Sequence, residues 1–284
     1  MSLVRDVIAL SKPRLSALVL VTGGGGLWLA AQPVSLGLAA RTLAGIILVV
    51  GAANALNNYL ERDTDRLMAR TRDRPLPSGR LDPRVALGLG VLVAPISVAL
   101  LTFGANPLAG LLAALAFLLY VYVYTPMKRR SHRAILVGAI PGAMPPLIGW
   151  TAATGSIDTG GLALFGVLLL WQIPHSIGIQ LYRKAEYAAA GMHIVPEAFG
   201  DAGARWHAVA WALALLLGSL LLVPAGVGGT LTAVGGAALG LFFFLRTLRR
   251  FDPATAAQWG RRVFLDSLIY LTALFGILAL DRWI

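Results

Sequence analysis

The sequence predicts an all-α polytopic membrane protein, on three observations. Of 284 residues, 57% are hydrophobic and only 13% are charged, and the apolar residues fall in blocks of about twenty that lack a polar face. A soluble domain carries about 25% charged residues. With no cysteine the chain has neither a disulfide scaffold nor a thiolate metal site. The same apolar content excludes disorder.

Nine transmembrane helices are expected. The first block, 15–31, shows no small-residue cleavage site and reads as a span rather than a signal peptide. Its run Gly23 to Gly26 follows no strand and opens no phosphate loop, so it reads as a close-packing face. The second block, 42–60, runs out into a polar helix end. The third and fourth cover 84–104 and 107–125. Near the end of the fourth, Tyr120 and Tyr124 are either interfacial aromatics or a π surface near the Lys128 cluster. The fifth, 134–152, holds Gly138, Pro141, Gly142, Pro145, Pro146 and Gly149. These free backbone carbonyls and shape either a cavity or a packing seam. The sixth, 161–181, carries a polar stripe, whereas 206–225, 228–247 and 263–281 contribute hydropathy alone.

The formal charge of +11 would suggest nucleic acid in a soluble chain. Here position matters more than sum. With the N-terminus cytoplasmic, nine spans put all but Arg41 and Arg282 of the 24 Lys and Arg on the cytoplasmic side, as the positive-inside rule requires. That places the C-terminus on the opposite side. The external segments hold only the acids Asp158 and Asp281, so the working surface is expected to be cytoplasmic.

Two cytoplasmic segments carry chemistry. In NALNNYLERDTDRLMARTRDRPLPSGR, residues 54–80, Asn57, Glu61 and Asp65 recur every four positions and share an arc of about 80° on one helix face. An amide and two carboxylates form an oxygen wall suited to Mg²⁺, which completes its shell with water and substrate phosphate. Arg70, Arg72 and Arg74 follow, with guanidinium forks that match phosphate oxygens. Together they suggest a diphosphate ligand. Surface charge runs more often form solvated ion pairs, and on residue type alone that bland reading stands level.

The sixth span weighs against it. In WQIPHSIGIQLYRKAEY, residues 171–187, Gln172, His175, Ile179, Tyr182 and Glu186 form a stripe ending in a carboxylate beside Arg183 and Lys184. Polar groups facing lipid are costly, so Gln172 and His175 should face a cavity or the bundle interior. Two such stripes four spans apart resemble an internal duplication, which transporters also show. A secondary transporter, however, predicts ionisable residues near the midplane, and these acids sit at the rim. A scaffold for oxidase assembly would need none of the aligned acids.

These motifs resemble the UbiA superfamily of intramembrane prenyltransferases and, within it, the protoheme IX farnesyltransferase (haem O synthase) family. The resemblance runs through NNYLERDTDRLMARTRDRPL, SKPRLSAL at 11–18, YTPMKRR and GAMPPLIGW across 124–150, and WQIPHSIGIQLYRKAEYAAAG at 171–191. It implies one domain over 1–284, with cytoplasmic motif loops near 60–83 and 182–205. It also implies a single bundle with a central cavity open to the cytoplasmic side and laterally to lipid, in a bacterial-type inner membrane. The implied substrates are farnesyl diphosphate and haem b, with Mg²⁺ as cofactor. Implied partners are membrane lipids and a haem A synthase or oxidase assembly factors, with no nucleic acid. The family motifs carry over to Asn57, Glu61, Asp65 and Glu186 as catalytic and metal positions, and to Arg70, Arg74, Lys128 and Arg183 as diphosphate cations. Tyr124, Gln172, His175 and Tyr182 would line the acceptor and prenyl pocket. A relative acting on an aromatic or quinone-precursor acceptor is the alternative. The chain departs from the family pattern at Glu61 and Glu186, where Asp is usual, and at Ala134, Ala185 and the segment GMHIVPEAFG. Each Glu moves its carboxylate by one methylene, roughly 1.5 Å.

Overall fold

The computed structural model describes residues 3–30 and 32–284, and for Arg14 the backbone alone. Ala31, the last residue of the first expected span, lies outside the described residues. The chain is all-helical.

Helix α1, Leu3–Leu10, exposes Leu3, Val4 and Ile8 and buries Asp6 and Leu10. It breaks at Lys12, whose φ of 51° is left-handed, and α2 begins with Pro13, which has no N–H to lose at a first helical turn. Helix α2 is Pro13–Leu29, and the break bends the pair by 50°. Helix α3, Leu36–Asp65, has 30 residues and so is about 45 Å long. A hydrocarbon core of about 30 Å leaves roughly three turns over. Those turns carry Asn57, Glu61 and Asp65 at its end.

Helices α4, Pro83–Gly104, and α5, Pro107–Leu118, start on the side-chain caps Asp82 and Asn106. Helix α5 widens into a π-helical stretch at Leu119–Tyr124 before the short α6, Thr125–Met127. The extra residue per turn rotates Tyr124 and Lys128 relative to a regular helix. Helix α7, Ala134–Thr154, keeps three internal prolines, Pro141, Pro145 and Pro146. Helix α8, Thr159–Tyr182, starts on Asp158, which accepts from the N–H groups of Gly160 and Gly161. Then come α9, Lys184–Ala189, and α10, Val195–Leu220. The latter is interrupted at Gly200, whose φ of 70° only glycine adopts without strain. Helices α11, Thr230–Leu248, and α12, Ala256–Asp281, close the bundle.

Seven helices among the described residues are long and apolar enough to cross a membrane, or eight if the bent α1 and α2 pair counts as one span. The chain is therefore a multi-pass membrane protein. The seventh expected span, 206–225, falls on α10, which is not among the seven because its first part is polar and bent.

Two seams position the site. Helices α2 and α7 touch backbone to backbone: a Cβ on Gly26 would lie 2.0 Å from the Pro146 carbonyl oxygen, and one on Gly149 would lie 2.0 Å from that of Gly23. The glycine run is a packing face. Helices α8 and α12 meet at Gly178 and Gly260, each set against the other's carbonyl oxygen. On α11 and α12, Arg246 and the buried Asp266 form a two-pronged pair at 2.7 and 3.0 Å.

Candidate active site

Helix α3 brings Asn57, Glu61 and Asp65 to one wall of a cavity of about 450 Å³ at its C-terminal end. All three are buried. Buried carboxylates need partners, and each has one. Lys128 pairs with Glu61, and Arg74 Nη1 lies 2.8 Å from Asp65 Oδ2. Asn57 Nδ2 donates to Glu61 Oε2 at 2.9 Å and to Thr125 Oγ1 at 3.2 Å. Burial disfavours the Lys128 ammonium, but the Glu61 carboxylate outweighs it and holds the lysine above its usual range.

The loop after α3 delivers the arginines. Thr71 Oγ1 donates to the Asp65 carbonyl at 2.8 Å and Arg66 Nε to that of Pro77 at 3.0 Å, while Met68, Leu76 and Leu81 are buried beneath. That fold turns Arg70 and Arg74 onto the cavity wall. Arg72 points outward, beside Asp73.

Lys128 lies over the Tyr124 ring, 4.8 Å from its centre. The ring sits where Gly138 leaves room: a Cβ there would be 2.4 Å from Tyr124. Deeper in, Gln172 lines the cavity with Ile135, Ala139, Ser176 and Ile179. Of the family departures, Ala134 reaches this wall, as do Met192 and His193 from the GMHIVPEAFG segment.

Four expected residues are placed elsewhere. His175 stacks on Trp171 at 4.5 Å and faces α12, with Nδ1 2.7 Å from Ser267 Oγ. Ser267 gives its one proton to the Phe264 carbonyl, so His175 donates from Nδ1. Arg183 covers the Tyr182 ring and bonds Glu186 Oε1 at 2.6 Å. The Arg70 backbone N–H reaches Glu186 Oε2 at 3.4 Å, which brings the two motif loops together at the rim. Burial would raise the Glu186 carboxyl, yet the bonds from Arg183 and Arg70 hold it below the usual range.

Sequence reasoning missed Lys12, which it counted only as a topology charge. Its Nζ enters the cavity and donates to Asn57 Oδ1 at 2.8 Å. The signal was the Lys-Pro step, where a helix break turns a cation inward. Tyr120 and Tyr187 also line the cavity.

Asn57, Glu61 and Asp65 offer hard oxygen donors suited to Mg²⁺. Among the described residues no three or more His, Asp or Glu converge into a metal site.

Residues 18–268 match the UbiA prenyltransferase family. A protoheme IX farnesyltransferase of Anaeromyxobacter dehalogenans is 48% identical over 278 residues, spanning 98% of this chain and 94% of that one. The apo structure of a UbiA homologue from Aeropyrum pernix superposes with a TM-score of 0.76 at 24% identity, covering 94% of this chain and 96% of the other. A UbiA homologue from Archaeoglobus fulgidus bound to GPP and Mg²⁺ gives 0.68 at 17% identity, covering 96% and 99%.

Proposed function

The chain belongs to the UbiA prenyltransferase family, among its protoheme IX farnesyltransferases, and on that premise we propose that its cavity moves a farnesyl group from farnesyl diphosphate to a vinyl group of haem b, giving haem O. One observation carries the assignment of the site: Lys128 and Arg74 each neutralise a buried carboxylate on successive turns of α3, facing one cavity. Carboxylates and cations thus stand ready to exchange partners when a metal-bound diphosphate enters between them.

Lys12, Arg70, Arg74 and Lys128 bind the diphosphate, with Arg183 at the rim. Asn57, Glu61 and Asp65, with Glu186 from the opposite loop, would hold Mg²⁺, which when bound supplies further positive charge to the leaving group. The cations stabilise negative charge that grows as the C1–O bond breaks and its electron pair leaves with the diphosphate. Tyr124 offers its π face to the allylic cation, and Leu15, Ile135 and Ile179 keep bulk water away. The vinyl π electrons then form the C–C bond. Water adds to the cation left on the vinyl carbon next to the macrocycle and loses a proton, which completes the hydroxyl of haem O. His175 and Tyr182 belong to the flank of the pocket.

We read nine crossings, α10 included, with the N-terminus cytoplasmic and the C-terminus outside, in a bacterial-type inner membrane. The cavity opens to the cytoplasm and sideways to lipid. The charge distribution supports this orientation. Haem O would pass to a haem A synthase or to oxidase assembly.

The test is to incubate the protein in lipid nanodiscs with farnesyl diphosphate, Mg²⁺ and either haem b or a hydroxybenzoate, and to weigh the products. Haem O is expected. A prenylated aromatic product without haem O would overturn the assignment.

A further inference from the structure

The end of the reaction needs one water in a cavity built to exclude water. Gln172 is the polar side chain placed to manage it. Its Nε2 donates to the Ala139 and Leu168 carbonyls, each at 3.1 Å, so both amide hydrogens are committed. The oxygen faces the other way. A Cβ on Gly142 would come within 2.0 Å of Oε1, so glycine at that position leaves it room. No donor among the described residues reaches Oε1, and Gln172 lines the cavity. The amide cannot flip without breaking both bonds. What it offers a ligand is therefore an acceptor only.

The position fits the chemistry. Gly138 accommodates the Tyr124 ring and Gly142 the Gln172 amide, so the two side chains pack against successive turns of α7, about 6 Å apart along its axis. Lys128 lies over the same Tyr124 ring. The Gln172 oxygen thus lies about one turn of α7 from the Tyr124 ring. Ser176, four residues on along α8, also lines the cavity and provides a second polar partner, a hydroxyl, on the same helix face. An acceptor-only amide repels the carboxylates of a porphyrin and the oxygens of a diphosphate. It suits an O–H donor, and a held water needs two or more polar partners.

Resting on the haem-farnesylating function above, we propose that Gln172, with Ser176, positions the water that adds to the cation formed on the vinyl carbon. The water oxygen supplies the electron pair of the new C–O bond. Its proton passes to the departed diphosphate, the strongest base in the cavity, and no oxidant or reductant enters. Without a positioned water, the same cation loses a carbon-bound proton instead and gives an alkene, lighter by one water. Gln172 is a positioning residue: it decides between these two fates rather than the breaking of the C–O bond.

The experiment measures the ratio of hydroxylated to dehydrated farnesyl-haem by mass spectrometry, with the full-length protein in nanodiscs. Gln172→Leu and Gly142→Ala, which forces the amide out of place, should each lower that ratio about tenfold, the worth of one hydrogen bond of about 1.4 kcal/mol. The ratio does not depend on how much protein folds or how fast it turns over. An unchanged ratio in both variants overturns the proposal. If neither variant folds, Ser176→Ala is read in the same way: a fall supports the proposal and an unchanged ratio overturns it. No haem adduct from the wild-type protein would overturn the assigned function itself, and the water's role with it.

Discussion

Lys128→Met is the most informative perturbation of the site because it separates charge in the fold from charge in the chemistry. The Lys128 and Glu61 side chains are 19% and 10% exposed, so the pair is largely withdrawn from water. Removing one partner of a buried pair costs 3–5 kcal/mol, mostly by stranding the other charge. Glu61 keeps its bond from Asn57 at 2.9 Å, which places the loss at the lower end, about 3 kcal/mol. Turnover should fall further, by about 10²–10³, the usual effect of losing one group that stabilises a developing oxyanion. Adding Glu61→Gln removes the stranded charge and should recover about 2 kcal/mol of stability, while activity stays lost. Stability is read from tryptophan fluorescence during denaturant unfolding in mixed micelles, and turnover from diphosphate release. A double variant as unstable as the single one would refute the stranded-charge argument. A double variant with more than about a tenth of wild-type turnover would refute the role of Lys128 at the leaving group.

The same pair has a pH signature. Because the folded-state pKa of Lys128 is raised, its contribution to stability is complete below the ordinary lysine value and is lost as pH rises through the raised one. Unfolding measured from pH 7 to 9 should therefore show no loss that Lys128→Met abolishes. Gly149→Ala drives a methyl into the Gly23 carbonyl and should cost 1–3 kcal/mol or more, whereas Gly276→Ala, with nothing within 4 Å, should change unfolding little. Arg246→Met strands Asp266, 7% exposed, and should cost about 3 kcal/mol or more, with Asp266→Leu restoring most of it. Chelation with EDTA should stop product formation and added Mg²⁺ restore it; turnover that persists in EDTA would argue against the proposed metal.

Much of this protein is legible along the chain. Hydropathy marked the apolar helices because lipid leaves each segment no alternative to satisfying its own backbone, a local requirement. Helical periodicity put Asn57, Glu61 and Asp65 on one face because 3.6 residues per turn is also local. The arginine-rich loop and the Lys128 cluster could be named from residue type. Local rules do not say which way a stripe faces. Gln172 and His175 share one stripe, yet Gln172 lines the cavity while His175 turns to Ser267 on α12, about ninety residues away in the chain. The helical start of α10 at Val195 and its bend at Gly200 likewise follow from neither hydropathy nor period. Lys12 could be assigned only after the chain folded, because a left-handed backbone at the α1–α2 break aims its ammonium at Asn57, 45 residues on. The sequence alone determined a membrane bundle with acids and cations at one face, since those depend on composition and neighbours. Tertiary structure decided which acid meets which cation, since Glu61 meets Lys128 and Asn57 meets Lys12 only where the fold brings distant segments of the chain together.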